Sequence, residues 1–165
     1  MPMAKIFAAL LASLFLVHAN AGIESQHLNL AQTLPVAIRS VKSCGAWEAE
    51  GRNGQFRLIV ADVSDGVGSE LYVQWITVPT KDKPPAVVQT VAIRELNDDH
   101  AQYDFLSVDC EQKGKASYVR ARAYFEHDER PKVHIFSIRL FGMGQYELTE
   151  QQVERVRSKH PELKD

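Results

Sequence analysis

The chain has 165 residues, 45% of them hydrophobic and 24% charged, with a formal net charge of −2. A slightly acidic balance gives no electrostatic basis for binding nucleic acid. The two cysteines, 66 positions apart with no C-x-x-C, exclude the usual zinc and dithiol redox motifs.

The first expected element is a signal peptide over residues 1–21. Lys5 supplies a positive start, and Ile6 to Val17 is an apolar run interrupted by Ser13. Ala19-Asn20-Ala21 then places small residues before a cleavage site, leaving Gly22 as the new N-terminus. The apolar run of about 12 residues is too short to cross a bilayer about 30 Å thick, which takes about 20. No cysteine lies near the cleavage site to carry a lipid. The mature chain therefore reads as periplasmic or secreted, without a membrane segment, and as one β-rich domain over residues 22–165. Loss of Lys5 leaves 18 basic against 21 acidic residues, a net charge of about −3. In an oxidising compartment Cys44 and Cys110 are expected to pair. Closing a loop of that length contributes about 4 kcal/mol in the chain-entropy treatment.

Residues 23–34 carry Ile23, His27, Leu30, Ala31 and Leu34 near helical spacing and end at Pro35, which predicts a short helix or ordered arm. From Val36 the hydrophobic period becomes two. Seven strands are expected, at about 38–50, 54–63, 70–79, 86–96, 103–111, 116–127 and 132–141. They are separated by turn-forming clusters such as Gly51-Arg52-Asn53-Gly54, Lys81 to Pro85 and Asp128 to Pro131. Connections this short leave no room for crossover helices, so neighbouring strands run antiparallel. The expected fold is mainly β, an antiparallel meander of about seven strands forming a sandwich or flattened barrel, followed by a C-terminal helix. That helix is placed at about 150–159, because Thr149 and Gln152 form a capping box and Leu148 with Val153 has the spacing of a hydrophobic staple.

Gly45-Ala46-Trp47 is a G-x-W on the first strand. With antiparallel strands, one disulfide and a late helix, it resembles the lipocalin and wider calycin group. The resemblance implies an eight-stranded cup holding an apolar small molecule. The chain departs from that pattern in having seven strand candidates and no later lipocalin motif.

The last hairpin carries the candidate binding residues. A four-residue turn at Asp128 to Pro131 places residues whose numbers sum to 259 opposite each other. Phe125, Ala123, Ala121 and Val119 then face His134, Phe136, Ile138 and Leu140 on a core side. The other side pairs Tyr124 with Ile135, Arg122 with Ser137, Arg120 with Arg139, and Tyr118 with Phe141. Directly opposed arginines are unfavourable without an anion nearby, and Arg and Tyr are common at binding hot spots. Tyr118, Arg120, Arg122, Tyr124 and Arg139 are therefore expected to receive an acidic protein or anionic ligand. The alternative is a solvated face neutralised by Glu126, Asp109 or Glu111.

No chemistry of another kind is signalled. His100 after Asp98-Asp99, and His127 among Glu126, Asp128 and Glu129, lack any fixed metal-ligand spacing, and no cofactor is expected. G-x-S-x-G and the phosphate loop are absent. The leading expectation is a small exported binding protein that recognises another macromolecule, as an inhibitor or immunity protein does, and is not an enzyme. The alternatives are a calycin-like carrier and an unrecognised hydrolase.

Overall fold

The computed structural model describes residues 33–63, 68–97, 102–114, 116–129 and 132–155. The expected signal peptide, most of the expected N-terminal helix, His100 and the end of the expected C-terminal helix lie outside them. All described strands fall in the unit Val36–Asp165. They are β1 (Ile38–Ala49), β2 (Arg52–Asp62), β3 (Ser69–Thr77), β4 (Val87–Ala92), β5 (Tyr103–Lys113), β6 (Ala116–Phe125), β7 (Lys132–Phe141) and β8 (Gln145–Arg155). Two antiparallel four-stranded sheets result, in the orders β1-β2-β3-β4 and β5-β6-β7-β8.

The alternating pattern explains the layering. In β2 and β3 the inward residues Phe56, Leu58, Val60, Leu71, Val73 and Trp75 are buried, while the intervening Arg57, Tyr72 and Gln74 point outward. They share one core with Val119, Ala121, Phe136, Ile138 and Leu140 of the second sheet. Trp75 is fully buried and meets Phe56 edge to face at 5.4 Å. Its indole N–H donates to the Gly142 carbonyl at 2.7 Å, so the largest core side chain leaves no unpaired donor.

The two sheets are joined along both sides. On one side, Cys44 and Cys110 form a disulfide with Cα atoms 5.5 Å apart. Lys42 donates to the Val108 carbonyl at 2.8 Å and Arg39 to the Phe105 carbonyl at 3.1 Å. On the other, the Tyr146 hydroxyl accepts from the Arg94 amide at 3.1 Å and donates to Glu95 at 2.7 Å. No helix among the described residues is long and apolar enough to cross a membrane.

Three expectations are corrected. The strands number eight among the described residues, and residues 150–155, read from sequence as the start of a helix, belong to β8. A helix there would leave the outer N–H and C=O groups of β7 without partners, and pairing with β8 satisfies them. A bulge at Glu150 to Gln152, opposite Ile135 and Phe136, accommodates the sequence that resembles a capping box. The fourth strand also ends early. Its expected tail becomes a turn in which Ile93 and Leu96 are buried and the Asn97 side chain bonds both the amide and the carbonyl of Leu71.

Third, the last hairpin pairs residues summing to 257. Ala123 lies opposite His134, Ala121 opposite Phe136, and Val119 opposite Ile138. The Asp128 carboxylate accounts for the wider loop, since it is bound by His134 at 2.8 Å and by Lys132 at 3.2 Å. A slip of two residues keeps every side chain on its expected face and changes every cross-strand partner.

Candidate functional site

The outer face of the second sheet carries the five residues singled out above. Tyr118, Arg120, Arg122 and Tyr124 alternate along β6, and Arg139 lies on β7. The observed register separates the arginines. Arg120 faces Ser137, Arg122 faces Ile135, and Arg139 faces Tyr118. The like-charge opposition of Arg120 and Arg139 is absent. On the other flank β5 sets Asp109 against Arg120, Glu111 against Tyr118 and Asp104 against Tyr124.

Several of these charges are already engaged. Arg139 lies 3.4 Å from Glu147 and over the Phe141 ring at 5.5 Å. Lys113 pairs with Glu111 at 3.2 Å and sits over the Tyr118 ring. Asp109, the carboxylate opposite Arg120, is bound by Lys42 at 3.2 Å. Arg120 itself is exposed and forms no ion pair among the described residues. The face is thus mixed in charge, with one guanidinium at its centre left to solvent.

A second feature escaped the sequence reading. At one end of the two sheets the β1–β2, β5–β6 and β7–β8 turns surround an open cleft of about 960 Å³. Its floor includes Trp47, Phe56 and Leu140, and Arg139 reaches its rim from the neighbouring face. The volume lies within the range of ligand sites. It sits at the end of the sheets, because the middle is filled by Trp75, Phe56 and their neighbours. The breakers at Gly51 and Gly114 mark two of its three rims in the sequence; the third, Gly142-Met143-Gly144, was hidden by ending the last strand at 141.

The G-x-W motif has a local explanation in this cleft. Gly45 sits in a bulge with φ +45°, and a Cβ there would lie 2.1 Å from the Ser117 hydroxyl. The Trp47 indole donates to the Gln55 and Ile76 carbonyls at 3.2 and 3.3 Å. Gly54 lets it in, since a Cβ at Gly54 would fall 1.8 Å from the Ile76 oxygen.

At the other end of β6 and β7, Tyr103, Phe125, His127, His134 and Phe136 form a cluster of ring contacts at 5.1 to 6.3 Å. The hydrogen bond from His134, with Lys132 beside it, holds the Asp128 carboxyl below its ordinary range. Among the described residues no group of three or more His, Cys, Asp and Glu side chains is placed to hold a metal.

No family model, curated protein or solved structure matches this chain.

Proposed function

We propose that this chain is an exported binding protein that recognises an acidic macromolecule through the outer face of its second sheet. The observation that carries the reading is Arg120. It is exposed between Tyr118 and Arg122 on a strand paired on both sides, and the carboxylate opposite it is taken by Lys42. A guanidinium held this way offers a planar fork of donors to an incoming carboxylate, and the flanking tyrosines add contact area at low entropic cost. Export is supported by the disulfide, which suits an oxidising compartment, and by the charged, apolar and small-residue order of residues 1–21.

The test is capture from the exported fraction of the source cell, with wild-type protein and an Arg120→Gln/Arg122→Gln variant immobilised side by side. The expected result is an acidic partner bound by the first and lost by the second, with little change in melting temperature. A partner retained by the double variant would refute the reading.

A further inference from the structure

The cleft takes in the end of β1. Each residue from Ala46 to Gly51 lines it. β1 is the outermost strand of its sheet, so the cleft lies beside a strand with one flank unpaired within that sheet. As far as Ala46 that edge is the seam with the second sheet, closed by the disulfide, by Lys42 and by Ser117; beyond Ala46, β1 has a strand partner only in β2 among the described residues.

The direction of its backbone groups follows from the hairpin. Glu50 and Gly51 both have positive φ, 53° and 69°, which makes the two-residue turn of type I′ that closes on the pair Ala49 and Arg52. Ala49 and Trp47 therefore bond β2, and the alternate residues Ala46 and Glu48 turn their N–H and C=O groups outward. The Ala46 carbonyl confirms the direction, because it accepts from Ser117 across the seam at 3.4 Å. Glu48 is exposed, its side chain makes no ion pair among the described residues, and it lines the cleft, while the hairpin register turns its amide and carbonyl away from β2.

We propose that this cleft receives an extended segment of another polypeptide, which adds to the edge of β1 as a strand and sets a basic residue opposite Glu48. Main-chain hydrogen bonds to Glu48 supply the docking, and the pleat sorts the side chains. Residues on either side of the basic one turn inward over Trp47, Ala49 and Leu140, so they are apolar and preferably β-branched. A second copy of this chain is a poor occupant. Twofold pairing about Glu48 would set that carboxylate against its own copy, and like charges directly opposed are unfavourable. This site meets the arginine face only at Arg139, which pairs with Glu147, and it does not depend on Arg120.

The experiment uses the mature protein and the peptide acetyl-Thr-Val-Lys-Val-Thr-amide. Amide NMR follows Glu48, and tryptophan fluorescence follows Trp47. The expected result is a shift of the Glu48 amide, slowing of its hydrogen exchange by at least about tenfold at saturation, and loss of at least about tenfold in affinity when the lysine amide is N-methylated. Glu48→Lys, at an exposed position, should keep the melting temperature and reverse the preference towards the peptide with Glu in place of Lys. Arg120→Gln should leave the titration unchanged. No shift at millimolar peptide, equal binding of the N-methylated peptide, or a Glu48 amide already protected in a dimer would each overturn the proposal.

Discussion

Breaking the bridge between Cys44 and Cys110 should destabilise the protein by about 4 kcal/mol, and the structure explains why so much of that depends on one bond. The bridge joins the edge strand of one sheet to the edge strand of the other across a separation of 66 residues, which in the chain-entropy treatment corresponds to about 4 kcal/mol. The other contacts on this seam are weak substitutes. Lys42 with Asp109 and Arg39 with Asp104 are ion pairs of side chains 40 to 63% exposed, each contributing about 0 to 1 kcal/mol. For a unit of roughly 130 residues the unfolding entropy is about 0.27 kcal/mol per degree, so the loss corresponds to about 15 °C in melting temperature. The assay is thermal unfolding followed by circular dichroism, comparing the oxidised protein with a Cys44→Ala/Cys110→Ser variant. Cys44 is buried and Cys110 exposed, so each replacement suits its surroundings. A fall of less than about 5 °C would refute the reasoning, and would mean that the core holds the two sheets without the seam.

Gly54→Ala should destabilise more than an ordinary surface change, by about 2 kcal/mol or more, because the new Cβ meets the Ile76 carbonyl, a backbone atom with little room to move; chemical denaturation reads it, and Gly51→Ala, where no atom lies within 4 Å but φ is +69°, gives the cost of backbone strain alone. Trp75→Ala should cost about 3 to 5 kcal/mol in the same assay, since a fully buried ring is removed and the Gly142 carbonyl loses its donor. The hydrogen bond to Glu70, together with burial, pushes the Tyr72 hydroxyl up to about 12. Its neutral form is favoured in the fold, so this contribution is complete below the ordinary value of 10 and disappears as pH rises from 10 through about 12. Tyrosinate absorbance should show one late-ionising group, lost in Tyr72→Phe. Asp128 has the opposite sign. His134 favours its charged form, so the contribution is present above the ordinary value of 3.8 and is lost as pH falls through the lowered value; Asp128→Asn should therefore flatten the acid limb of the stability profile measured by urea midpoints.

The antiparallel β architecture was legible because period-two alternation and turn chemistry act locally. In β6 the apolar Val119, Ala121 and Ala123 alternate with Tyr118, Arg120 and Arg122 with no competing signal, and the strand lies where the pattern puts it. The eighth strand was not legible for the same reason. Thr149, Gln152 and Val153 have helical spacing, and only the need to pair β7 overrides it. Residues 86–96 failed differently: Ile93 and Leu96 continue the apolar run, but they are buried from a turn that Asn97 stabilises through Leu71. No local pattern announces a side chain that stands in for a strand.

The candidate sites separate along the same line. Which face a residue occupies follows from parity, so Tyr118, Arg120, Arg122 and Tyr124 share a side in both the expected and the observed register. Which residues meet across strands depends on the loop length, and that was set by the Asp128 side chain reaching back to His134. The two-residue slip removed the opposed arginines that first suggested an anion, and left a different reason to look at Arg120, its exposure beside an occupied Asp109. The cleft demanded more still. It is bounded by three turns that are distant in sequence, and no local pattern of residue types brings them together. The same hairpin that makes Trp47 a buried, doubly bonded indole also turns Glu48 outward, one position later on the pleat. The G-x-W that resembles a carrier motif thus fixes the tryptophan as the floor of the cleft and leaves the next residue on the rim, where its backbone and its charge are the groups a partner would meet.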